Sequence, residues 1–221
     1  MPTEKQMSQV IKILKKNRGR FIVPALTEIA EEKDPFKVLV SCILSLRTRD
    51  ATTAKVSREL YKIADTPRKI ASMNLKKLSA VIKPVNYYKT KAKRIKNISE
   101  RLVREFDSSV PNDIDTLMKF KGVGRKTANI VVVYGFNSHG IPVDTHVHRV
   151  SNRLGWVETN TPEKTEVELR KILPRKYWID LNDLFVQFGQ NICMPRNPHC
   201  NACPISRYCK YYKMIYNADK A

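Results

Sequence analysis

The chain has 221 residues, 42% of them apolar, which is enough for a real core in one large domain or two smaller interleaved ones. It carries 41 Lys and Arg against 21 Asp and Glu, a formal net charge of +20 at pH 7, and so predicts an anionic polymer as partner. No apolar run of membrane length, lipidation motif or signal-peptide pattern occurs, which puts nucleic acid ahead of a membrane surface and predicts a cytoplasmic, nucleoid-associated or nuclear protein.

Taken in chain order, apolar residues recur at helical spacing almost everywhere, without the alternation a half-buried strand needs. An all-α class follows. Met7, Val10, Ile11 and Leu14 line one face of an N-terminal helix. Asp34-Pro35, Thr66-Pro67 and Thr161-Pro162 each set a capping side chain before a proline at the first helical position. The run from Pro35 to Leu46 is apolar nearly all round, as in a central buried helix. Further helices are expected over 54–63, 75–82, 89–106, 114–120, 126–136, 145–154, 162–173 and 181–192, with a break at 137–140. The Lys89, Lys91, Lys93, Arg94 and Lys96 run reads mostly as a solvated helix face, and the tail after Cys209 is uninformative.

Two of the chain's seven glycines stand together at Gly122 and Gly124, between two helical patterns. A tight turn is the plain reading. A helix starting near Arg125 would also direct backbone N–H groups and the positive end of its dipole at an anion, with Val123 plugged into the interior. This is a helix-hairpin-helix, a sequence-independent phosphate grip.

Four of the five cysteines, Cys193, Cys200, Cys203 and Cys209, are spaced Cys-x6-Cys-x2-Cys-x5-Cys. Zinc and iron–sulfur clusters both accept four thiolates, and a pair of disulfides is a further alternative that a reducing compartment disfavours. Only Cys200 and Cys203 have zinc-knuckle spacing, so the wider flanking gaps favour a four-iron cluster. Cys42 reads as a small core residue, and His139, His146 and His148 receive no ligand role.

The string Lys121-Gly122-Val123-Gly124-Arg125-Lys126-Thr127-Ala128-Asn129, then Val143-Asp144-Thr145-His146, then the four cysteines, resembles the endonuclease III family of helix-hairpin-helix DNA glycosylases in order and separation. The resemblance runs from about residue 5 to about residue 210. It implies a six-helix barrel over 27–138 with the hairpin at about 114–136. It implies a second domain of 1–26 and 139–221 with a 4Fe-4S cluster on Cys193, Cys200, Cys203 and Cys209, and a DNA-binding cleft between the two. The partner would be double-stranded DNA with damaged bases or abasic sites, and the protein would act as a monomer.

Lys126, in the first turn of its helix beside Arg125, occupies a place where the dipole opposes a cation, a condition that suits an amine nucleophile. The resemblance makes it the residue that attacks the sugar, forms a Schiff base and permits β-elimination. Asp144 reads as an N-cap, and the resemblance adds stabilisation of the sugar's developing positive charge. Arg47 stands where glutamine often fills the gap left by an extruded nucleotide, Tyr87 at a second wedge position, and Asn86 where glycine is common. Asp50 would line the pocket or cap the following helix. Arg196 and His199, with Lys210 just after the last thiol, would form a second phosphate clamp. The expected activity is bifunctional DNA glycosylase/AP lyase in base excision repair, acting on oxidised or ring-saturated pyrimidines. A mismatch thymine or uracil glycosylase, an adenine glycosylase acting opposite oxidised guanine, and a non-catalytic DNA-binding module are the alternatives. Lys126 argues against the mismatch enzymes, and the chain is short for the adenine branch.

Overall fold

The computed structural model describes residues 2–17 and 33–218, with side chains through residue 215. Every regular element among them is helical, so the chain is all-α as expected. Helix α1 (Glu4–Asn17) buries Met7, Val10, Ile11 and Leu14. Helix α2 (Pro35–Ser45) is capped by Asp34, whose Oδ1 accepts from the Phe36 and Lys37 amides at 2.9 and 3.1 Å. Helix α3 (Asp50–Ile63) is followed by α4 (Pro67–Ser72), capped by Thr66, and α5 (Leu75–Val81), capped by Asn74. Helix α6 (Tyr88–Glu105) starts directly after Tyr87 in the left-handed region, φ 56°. Helix α7 (Ile114–Met118) is capped by Asp113 and leads through the glycine turn into α8 (Arg125–Ile130). In the second half come α9 (Thr145–Leu154), α10 (Pro162–Ile172), α11 (Trp178–Asn191) and α12 (Lys210–Ala218).

The chain divides into two compact units, Met1–Val23 with Ile141–Ala221, and Pro24–Gly140. The expected division at residues 26 and 27 lies outside the described residues. In the Pro24–Gly140 unit, α2 is the central rod, buried at Phe36, Val38 to Cys42, Ile43 and Leu44, and it packs against α3, α6 and α8. Its core continues through Leu60, Ile70, Ile82, Ile95 and Leu102. In the other unit α1 and α9 pack on α11, around Ile11, Val150, Leu181 and Phe185.

The single helix expected over 126–136 is not uniform. After Ile130 the chain widens into a π-helical stretch, Val131–Gly135. Gly135 lies where an added Cβ would fall 2.7 Å from the Pro35 Cα, so the start of α2 presses directly on this backbone. The tail also departs from its uninformative reading, because α12 continues the chain as a helix after the last cysteine.

Candidate functional site

Within the Pro24–Gly140 unit, the hairpin turn is built from contrasting glycines. Gly122 has φ +90°, which a side chain rarely adopts, and a Cβ there would also meet Arg94 Cδ at 2.9 Å. Gly124 has φ −92° as the N-cap of α8, and nothing lies within 4 Å of where its Cβ would be. The first glycine is needed to make the turn; the second leaves open space on its surface. Val123 between them is 5% exposed and belongs to the core, which locks the turn down. The cap contributes no side chain, and Arg125 and Lys126 follow in the first turn of the helix, with Lys126 exposed. The Lys126 charge is felt by the Cys42 thiol, whose burial nevertheless pushes it up to about 12. Cys42 is therefore an inert core thiol.

Arg47 and Tyr87 lie close together in the same unit. Both adopt the left-handed region, φ 52° and 56°, and the Arg47 guanidinium lies 6.0 Å from the centre of the Tyr87 ring. Tyr87 is 62% exposed. Asn86, at the position where glycine is common, does not use a glycine conformation; its side-chain amide donates to the Arg47 carbonyl and its backbone N–H to Thr48 Oγ1 at 3.3 Å. Asp50 does not cap α3: Arg49 is the N-cap, no side chain bonds there, and Asp50 is the exposed first helical residue, adding an acidic charge to that turn.

The solvated reading of the lysine run fails at Lys91. This residue is 2% exposed, and its ammonium donates to the Leu44 and Leu46 carbonyls at 2.7 Å each and to Thr48 Oγ1 at 2.9 Å. Burial, with the nearby Arg94 charge, lowers its pKa to about 8. A signal was present in the sequence: Lys91 shares the helical stripe of Ala92, Ile95, Ile98 and Leu102, so it points inward.

In the other unit, Asp144 is the N-cap of α9, and its Oδ1 accepts from the His146 and Val147 amides at 2.9 Å each. That grip holds the carboxylate in one orientation. The four cysteines are free thiols and line one pocket, walled by Val150, Leu154, Phe188 and Ile205. Among the described residues no three His, Cys, Asp or Glu side chains converge to hold a single ion. Burial pushes the Cys203 thiol up to about 11, with the Cys209, Cys193 and Cys200 thiols adding to the rise. Cys200 and Cys209 are raised first by burial too. Two arginines of α9 were not singled out in the sequence. Arg149 Nε donates to the Cys193 carbonyl at 3.0 Å, and Arg153 donates to Cys193 Sγ at 3.4 Å and to the Met194 carbonyl at 2.7 Å. Arg196, between Cys193 and Cys200, is exposed. No described helix is long and apolar enough to cross a membrane.

The sequence profile of the family described as HhH-GPD superfamily base excision DNA repair protein matches residues 40–175. The chain is 46% identical over 195 residues to endonuclease III of Thermotoga maritima, spanning 88% of this chain and 92% of that one. It is 39% identical over 180 residues to endonuclease III of Rickettsia conorii, spanning 81% and 86%. Among solved structures, a trapped endonuclease III–DNA covalent intermediate, an estranged-adenine complex, matches with a TM-score of 0.82 at 31% identity over 98% of this chain and 100% of that one. The chain therefore belongs to the endonuclease III family of HhH-GPD base excision DNA repair proteins.

Proposed function

We propose that Lys126 is the nucleophile of this DNA glycosylase and AP lyase of base excision repair, and that its substrates are oxidised or ring-saturated pyrimidines in duplex DNA. The observation that carries the reading is the hairpin-to-helix junction. It sets an exposed amine in the first turn of α8, next to a glycine surface open enough for a phosphodiester to approach.

The Lys126 amine attacks the sugar carbon that bears the base, and the bond to the base breaks with its electron pair leaving on the base. The attacking nitrogen gives up its proton to a general base, the role that the family resemblance gives Asp144. Before that transfer, the fixed Asp144 carboxylate stabilises the positive charge that builds on the sugar. Ring opening yields a Schiff base on Lys126. Loss of the neighbouring carbon's proton then expels the 3′ phosphate and cuts the strand. The target nucleotide must leave the stack for this to happen, and Arg47 and Tyr87, exposed on adjoining turns, are the side chains that enter the gap. The trapped covalent endonuclease III–DNA complex, a 31% identical neighbour, supports a covalent route.

The thiol pocket suits a 4Fe-4S cluster. Four free thiols ring a volume rather than a point, and Arg153 donates a hydrogen bond to one of the sulfurs. Cys193, Cys200, Cys203 and Cys209 would hold the cluster, which when bound supplies a structural tie for the loop and no step of the reaction. Arg196, His199 and Lys210 then sit on or beside a shaped loop and face a phosphate backbone.

The test is Lys126→Gln. Reduction with borohydride in the presence of an abasic duplex is expected to trap the wild-type protein on DNA and to trap none of the variant. A trapped variant adduct would show that another residue is the nucleophile.

A further inference from the structure

Burying an ammonium is costly unless every donor finds a partner. Lys91 meets that demand with oxygen atoms alone: the Leu44 carbonyl, in the last turn of α2, the Leu46 carbonyl, and Thr48 Oγ1. The first two are carbonyls that the end of a helix leaves without intrahelical partners, where a cation is also favoured by the dipole. All three acceptors flank Arg47, whose backbone is held in a left-handed conformation that a side chain disfavours. Lys91 itself lies at the end of the first turn of α6, where its backbone N–H donates to the carbonyl of Tyr87, the other left-handed residue, at 3.0 Å. Asn86 closes the arrangement by bonding the Arg47 carbonyl and Thr48. The turn carrying Arg47 and the turn carrying Tyr87 are thus fastened to each other from beneath by one lysine and from the side by one asparagine.

We infer that Lys91 is a positioning residue for base extrusion: its ammonium holds the Arg47 and Tyr87 turns as one preassembled element, so that both side chains enter the duplex together. This rests on the reading that Arg47 and Tyr87 fill the gap. The benefit is entropic, since two turns ordered before binding need not be ordered during it. Lys91 touches neither substrate nor reacting atoms. Its effect is confined to substrates in which a nucleotide has to be drawn out of a stacked duplex.

The experiment compares lyase rates on one abasic site in duplex and in single-stranded DNA, where no stack has to be opened and no opposite base faces a gap. Lys91→Met is expected to lower the duplex to single-strand rate ratio by about tenfold, the scale of one hydrogen bond from a charged group withdrawn from the inserted state. A general packing defect lowers both rates alike and leaves the ratio unchanged, which would overturn the inference. The Arg47→Ala, Tyr87→Ala double variant separates the two layers. If it loses the ratio and Lys91→Met keeps it, the insertion reading stands and the role of Lys91 is refuted; if the double variant keeps the ratio, the insertion reading fails and the inference falls with it. Should Lys91→Met not fold, Thr48→Val with Asn86→Ala, which removes the exposed half of the same brace, is measured by the same ratio and judged in the same way. A 2-aminopurine opposite the abasic site gives an independent readout, its wild-type fluorescence change being reduced in each variant that loses the ratio.

Discussion

The hairpin unit and the thiol unit hold their functional groups by opposite means. In the hairpin unit the chain itself finishes the site: Val123 anchors the turn in the core, Lys91 satisfies the end of α2, and Asn86 ties the Arg47 turn to the Tyr87 turn. Between Pro195 and Cys209 in the thiol unit, only Ile205 is buried, and α9 holds the segment at its two ends, where Arg153 donates to the Pro195 carbonyl at 3.0 Å and the Cys209 thiol donates to the Arg153 carbonyl at 3.3 Å. Buried thiols there resist ionisation, and beside Ile205 the segment packs on the core only through the partly buried Cys203, Tyr208 and Cys209. A sparse apolar anchor and four thiols make a segment that would gain order from a cofactor, whereas a dense core and a fully bonded lysine make one complete in itself.

The comparison breaks most sharply at Asp144. Asn caps a helix about as well as Asp, so Asp144→Asn is expected to leave the melting temperature nearly unchanged while slowing base release at least about a hundredfold, the scale of one well-placed electrostatic group. A large fall in melting temperature would mean that the carboxylate is chiefly a fold element. Next comes metal removal. Chelation under reducing conditions should bleach any visible absorbance and speed amide exchange in the Cys193–Cys209 segment at least about tenfold, whereas amides around Arg47 and Asn86 keep their protection. Equal loss in both regions would erase the distinction drawn above.

The two hairpin glycines give a smaller and more pointed contrast. Gly122→Ala must take a left-handed φ and displace Arg94, and should destabilise by about 1–3 kcal/mol. Gly124→Ala has an ordinary φ and open space, so unfolding measurements should show a change within about 1 kcal/mol, in the stabilising direction. Binding to an abasic duplex should nevertheless weaken severalfold, because the methyl group occupies the surface that a phosphate approaches. A further contrast concerns pH. The folded pKa of Lys91 lies below its ordinary value, so the native state binds fewer protons than the unfolded chain between about pH 8 and 10.5. The burial penalty is therefore complete below about pH 8 and is relieved as pH rises. The stability of the wild type relative to Lys91→Met should climb across that window, and a flat difference would mean that the amine is not desolvated. Taking the difference cancels the opposing contributions of Cys42 and Tyr61, whose burial raises their pKa values.

Local chemistry made much of this legible from the sequence. Asp34, Thr66 and Thr161 announced their helices because a capping side chain before proline needs nothing distant, and each makes its capping bond. The hairpin, the Asp144 cap and the gathering of the thiols were readable for the same reason: each is encoded within a short stretch. What escaped depends on pairs far apart in the chain. The stripe of α6 points Lys91 inward, but its oxygen partners Leu44 and Thr48 come from far away in the chain, and the π-helical stretch at Val131–Gly135 adjoins the start of α2, at Pro35. Asp50 admits two readings from sequence because its register relative to α3 is set by the preceding Arg47 to Arg49 turn, which puts the cap at Arg49.

The central claim is that the amine at the hairpin-to-helix junction forms the covalent bond to deoxyribose. Peptide mapping of the borohydride-reduced adduct between the wild-type protein and an abasic duplex tests it at the level of a single residue. The account predicts that the sugar remnant is carried by Lys126 and by no other lysine. A remnant found on a different side chain, or strand cutting that leaves no reducible adduct, would contradict it.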